Sequence, residues 1–269
     1  GITVTALPTR LQWLTPTAFV AYVALGALVL VSLFSARSPA ALSLADAAAG
    51  AGYTDFAIER YDAIAAVSPL PQHRARALWR AGNLLDVALR DAEGARTRLR
   101  ALSVMETAEH RTDALDRLGR LLQHHEHNPA AAAIAYEDAW RADPEAASAP
   151  DRLRRAARAL EEAGQIDEAL EVWDQLGRTY PSLHGRAQLG RAALHLIQDD
   201  EAAALAAYRD ALESDDVTVH AVARLGSATC LERLGNLDEA LAELDAADLP
   251  EDVRDARADT IRARIPTDE

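Results

Sequence analysis

An all-α solenoid of stacked helix-turn-helix pairs is the fold class this sequence predicts, on three observations. The segment Gly164-Gln165-Ile166-Asp167-Glu168-Ala169-Leu170 returns as Gly235-Asn236-Leu237-Asp238-Glu239-Ala240-Leu241. Small and aliphatic residues flank both copies at helical spacing, as in the stripe Leu153, Ala156, Ala157 and Leu160. The chain is 49% hydrophobic but only 5% aromatic, so its apolar surface comes largely from alanine, which lets helix backbones approach closely. Self-similarity of this kind means that each helical pair buries its apolar face only against the next pair.

The first element expected along the chain is a membrane helix. The stretch from Leu11 to Ala36 carries no charge, and Ala18 to Phe34 holds only Ala, Val, Leu, Phe, Tyr, Gly and Ser. A helix capped by Thr15, opened by Pro16 and carried to Ala36 reaches roughly 30 Å at about 1.5 Å per residue, which matches the bilayer hydrocarbon. Ala18, Phe19, Tyr22, Gly26, Leu30 and Phe34 would meet lipid, with Trp13 as the interfacial anchor. A cleaved secretory signal is the competing reading, with Ser35-Ala36 after the apolar region. Such regions run to about 15 residues, shorter than this one, so a single-pass signal anchor is preferred. The expected divisions are a tail over 1–15, the membrane helix over 16–36 and a linker over 37–40. The solenoid then runs over 41–249, and a capping helix with its tail over 250–269.

Within the solenoid, about six units follow one another. The clearest runs from Pro150 to His184, with Trp173 four residues after Ala169, then Leu176 and Pro181. A second carries Leu118-Gly119 and Leu122, then Ala132, Tyr136, Ala139, Trp140 and Pro144, but its turn through Asn128-Pro129 lacks glycine. Weaker copies show Ala57, Tyr61 and Pro69 after Gly52; Trp79, Gly82 and Leu85 before Ala95, Leu99 and Leu102; and Leu189-Gly190 before Ala204, Tyr208 and Ala211. The last spans His220 to Leu249, and Asp252 to Arg264 reads as a solubilising cap. Tryptophans at such spacing read as packing residues.

These units resemble the tetratricopeptide repeat (TPR) family, whose unit of about 34 residues is a helix A, a turn and a helix B. The resemblance implies a binding surface on one face of the A helices. Aligned on their own motifs, Trp79, Asn83, Asp116, Arg120, Arg154, Arg158, Arg191 and His195 would line it. The middle is arginine-rich, and a guanidinium fork suits carboxylates. The plainer reading is that Arg154 and Arg158 form surface pairs with Glu161 and Glu162. The family's chaperone-binding members clamp a terminal carboxylate with a lysine and asparagine set, from which this lysine-free chain departs.

The remaining chemistry is mostly excluded. Without lysine there is no Schiff base, lysine nucleophile or P-loop. No Gly-x-Ser-x-Gly elbow, His-Glu-x-x-His helix or paired-cysteine motif is present, so neither enzyme activity nor a cofactor is expected. A net charge of -14 disfavours nucleic acid as a partner. His124, His125 and His127 are a weak metal candidate, read more simply as polar residues at a helix C-terminus. Cys230 reads as a buried structural thiol. Arginine and alanine abundance without lysine suits a bacterial, high-GC source.

Function follows as an expectation. The chain would be a non-enzymatic, membrane-anchored scaffold that docks on other protein subunits of a bacterial membrane complex, held in the lipid bilayer by its N-terminal helix. Arg10 with the amino terminus faces Arg37 across the apolar run, close to a tie under the positive-inside rule, and the repeat domain is placed on the periplasmic side of the inner membrane. The alternative is a periplasmic chaperone or biogenesis factor, of the translocon-associated or cytochrome c maturation type, binding client segments in the groove.

Overall fold

The computed structural model describes Gly26 and residues 35–37, 40–105 and 110–264. The expected membrane helix, and with it Trp13, Ala18, Phe19, Tyr22, Leu30 and Phe34, lies outside the described residues apart from Gly26 and its last two positions. Among the described residues no helix is long and apolar enough to cross a membrane.

The described chain is helical and falls into two compact units, residues 1–114 and 115–269. The first holds α1 (Ala41–Gly50), α2 (Thr54–Val67), α3 (Pro71–Leu84), which runs on as a π turn over Leu85–Leu89, and α4 (Ala92–Ser103). Helix α5 (Arg111–His124) starts at its edge. The second continues with α6 (Pro129–Ala142), α7 (Ala149–Glu162), α8 (Ile166–Thr179), α9 (His184–Ile197), α10 (Glu201–Ala211), α11 (Val217–Arg233), α12 (Leu237–Asp245) and α13 (Glu251–Arg262). From α6 onward each helix packs on the next, and α9 also touches α11.

The repeat is written most clearly in its turns. Each pair turns through one residue in the left-handed region: Gly52 (φ 85°), Arg90 (54°), His127 (51°), Gly164 (74°), Asp199 (56°) and Gly235 (83°). In four turns the next residue's N–H reaches back five residues, to Ala48, Leu160, His195 and Leu231, closing the last helical turn in a Schellman arrangement. In the other two it reaches back six, from Asp91 to Leu85 and from Asn128 to Leu122, so α3 and α5 each hold one extra residue. The same residues cap the next helix: Asp91, Asn128 and Asp200 accept from the backbone N–H three positions on, at 2.9, 3.1 and 2.9 Å. The glycine-free turn expected at Asn128 is thus a regular turn with His127 in the glycine's place.

Counting forward from the left-handed residue fixes the core. Five residues on stands a fully buried alanine in every pair: Ala57, Ala95, Ala132, Ala169, Ala204 and Ala240. Nine on stands a large buried side chain, Tyr61, Leu99, Tyr136, Trp173, Tyr208 or Leu244, and twelve on Ile64, Leu102, Ala139, Leu176, Ala211 or Ala247. A methyl side chain at the first position lets helices A and B close on each other, and the ring at the second fills the space that opens beyond.

Glycines receive those rings in two ways. A Cβ on Gly119 would meet Tyr136 of its own pair at 2.6 Å. Trp173 and Tyr208 instead press on Gly190 and Gly226 of the following pair.

At the carboxyl end α13 buries Ala258 and Ile261. It is latched by Glu232, whose carboxylate, largely buried, accepts from Arg257 and, at 2.6 Å, from Arg264.

Candidate interaction groove

The turn register also identifies the inner face of each A helix. Thirteen, ten and six residues before Gly164 stand Asp151, Arg154 and Arg158 of α7; before Asp199 stand Arg186, Leu189 and Ala193 of α9. All six line one groove of about 820 Å³ in the second unit. Trp173, Leu176 and Leu183 line it too, as do Glu161 and Glu162 at the end of α7. Trp173 therefore packs and lines the groove at once; it is 6% exposed and its Nε1–H has no acceptor among the described residues.

Charges along this groove are unevenly committed. Arg154 donates to Asp151 at 2.7 Å. Arg186 donates to Asp216 at 2.8 Å. The Asp216 carboxylate also caps α11 by accepting from the Thr218 N–H at 3.0 Å. Its bonding to Thr218, and then to Arg186, holds its pKa down at about 2. Glu162 accepts from Gln123 at 2.7 Å. Arg158 is exposed and makes no hydrogen bond or ion pair among the described residues. The surface pairs expected with Glu161 and Glu162 are thus replaced by a local bond to Asp151 for Arg154 and by none for Arg158.

Asp116 and Arg120 sit on α5 in the same unit but do not line this groove. Asp116 is bonded to Arg155 of α7 at 2.6 Å and lies 3.5 Å from Arg120, an ion-pair network that ties neighbouring A helices together. Next to it Tyr136 is pushed up to about 12, first by burial and then by the Asp116 charge.

Arg191 and His195 sit elsewhere on α9. Neither lines the groove: Arg191 donates to Gln188 at 3.1 Å, and His195 Nδ1 is buried with no hydrogen-bond partner among the described residues. The expectation placed this helix by its own motif, Leu189-Gly190. Gly190, however, is the socket for Trp173 of the preceding pair, so it does not mark the inner face of its own helix. Counting back from Ala204, the buried alanine, would have found Arg186, Leu189 and Ala193.

In the first unit, where α3 carries its extra residue, the same count gives Arg76, Trp79 and Asn83. These line a separate groove of about 590 Å³ with Arg80, Tyr61 and His110. Trp79 stacks on His110, ring centroids 5.2 Å apart. Tyr61, one of the largest buried side chains, donates to Asp46 at 2.5 Å, and burial with that bond pushes its pKa up. The structure thus brings Trp79 and Asn83 to one groove, each unit holding its own.

His124, His125 and His127 are all exposed. His127 is the left-handed turn residue, which explains its place without a metal. Among the described residues no three His, Cys, Asp or Glu side chains are grouped so as to hold one.

Comparison with known proteins found no matching family model and no matching curated protein. Solved structures do match. The C-terminal part of a TPR repeat-containing protein from Cytophaga hutchinsonii is 17% identical, covering 89% of this chain and 93% of that one at a TM-score of 0.57. A thermophilic TPR protein of Thermus thermophilus is 22% identical over 70% of this chain and 99% of its own, TM-score 0.40. YrrB, described as a TPR protein with an unusual peptide-binding site, is 18% identical over 65% of this chain and 84% of its own, TM-score 0.45. The likeness to the Cytophaga structure shows a TPR-type fold.

Proposed function

We propose that this chain is a non-enzymatic interaction scaffold that holds a protein segment in the groove between α7 and α9. The observation that carries the reading is the pairing of an apolar floor with an uncommitted cation: Trp173, Leu176, Leu189 and Ala193 beside Arg158, which makes no hydrogen bond or ion pair among the described residues. A repeat fold supplies the scaffold, and the exposed side chains supply the specificity.

The uncharged stretch from Leu11 to Ala36 supports a finer reading. It anchors the scaffold in the bacterial inner membrane as an accessory or assembly subunit of a larger complex, with the helical pairs on the periplasmic side. Purification in mild detergent, with quantitation of every companion protein, tests this. A constant ratio to one membrane assembly, lost in an Ala193→Trp variant that fills the groove, is the expected result. Many substoichiometric envelope proteins would instead make the chain a periplasmic chaperone.

A further inference from the structure

Resting on that groove as the docking site, we infer that its occupant is an internal segment of a partner protein bearing a single carboxylate beside aliphatic side chains. The inner face changes character from one A helix to the next. Helix α7 offers Asp151, Arg154 and Arg158; α9 offers Arg186, Leu189 and Ala193; and the same count from Gly235 gives Val222, Leu225 and Thr229 on α11, with Val222 49% exposed. A segment laid across these helices meets three arginines, of which Arg158 alone has no bonded partner among the described residues, and then aliphatic surface.

Charge accounting limits the occupant to one carboxylate. Arg154 and Arg186 already hold Asp151 and Asp216, which leaves Arg158 to receive an incoming acid. Glu161 and Glu162 lie on the same rim, and the whole chain carries a net charge of -14, so a second acid would meet repulsion rather than a partner. The planar guanidinium of Arg158 favours a carboxylate over an amide through two parallel charge-assisted bonds. The aliphatic neighbours of that carboxylate bury against Leu176, Leu183, Leu189 and Ala193, where the driving force is the apolar area removed from water.

The test is selection of random peptides, displayed without a free carboxyl terminus, on the full chain in detergent, followed by binding measurements on the selected peptides. The expected sequences carry one Asp or Glu next to Leu, Ile or Val. Changing that acid to its amide weakens binding about tenfold. Arg158→Glu weakens it at least as much and reverses the preference to a peptide with Lys in the acid's place. Ala193→Trp abolishes binding, and both sites are exposed, so the variants fold. Peptides that Ala193→Trp blocks but that carry no acid, or that ignore Arg158→Glu, overturn this inference and leave the groove as the docking site. Binding that Ala193→Trp does not touch overturns both.

Discussion

A methyl group on Gly190 would lie 2.5 Å from Cε2 of the Trp173 indole. The glycine is therefore the socket that lets helix B of one pair lie against helix A of the next, and the tryptophan both joins the pairs and lines the groove. Gly190→Ala is expected to destabilise the protein by about 1–3 kcal/mol through overpacking. Combined with Trp173→Leu, which vacates the socket, it should cost less than the sum of the two changes, as read from a double-mutant cycle in urea.

The left-handed turn residues predict substitutions of opposite sign. Gly164→Ala, at φ 74°, should cost about 1–2 kcal/mol because a Cβ is disfavoured there. His127→Gly, at φ 51°, should stabilise by up to about 1 kcal/mol, since the glycine relieves strain and loses some of that gain to unfolded-chain entropy. Chemical denaturation midpoints of the two variants, on opposite sides of the parent, are the check.

Acid should weaken the second unit through Asp216. Its folded pKa, about 2, lies below the unfolded carboxylate value of about 3.9. The unfolded chain then binds more protons over that interval. The contribution is present above about pH 4 and lost as pH falls toward 2. Asp216→Asn keeps a cap on α11 but cannot titrate, so its melting temperature should fall less between pH 4 and pH 2 than that of the parent. Equal falls would remove Asp216 from the account.

Glu232 should decide whether the carboxyl-terminal cap stays down. Replacing it with alanine removes the carboxylate that accepts from both Arg257 and Arg264. Because both arginines are partly exposed, the expected loss is about 1–3 kcal/mol rather than that of a fully buried pair. Hydrogen exchange should show α13 amides opening while those of α7 and α8 keep their protection.

How much of this was legible beforehand depended on which letters carried the pattern. Gly164 and Gly235 announce their turns because glycine is the residue that takes a left-handed backbone freely. Arg90, His127 and Asp199 take the same backbone at a cost; Asp and His adopt it more readily than arginine, but far less distinctively than glycine. The buried alanines and the rings four residues after them were read correctly, since close helix crossings leave little choice there. The inner face was harder, because exposed positions obey no packing rule and depend entirely on register. Arg154 and Arg158, next to an unambiguous glycine turn, both line the groove. Arg191 and His195 were misplaced because Leu189-Gly190 serves the neighbouring pair rather than its own.

Cys230, fully buried on α11, is the one thiol in the sequence, and burial pushes its pKa up. The chain thus contains its own clock. An alkylating reagent can mark the protein at that atom only, and only in the moments when the final pair opens, so the rate of labelling under native conditions counts those openings directly. Because Glu232 sits two residues further along the same helix, that rate also reports how firmly the end of the repeat array is closed, with no probe added to the molecule.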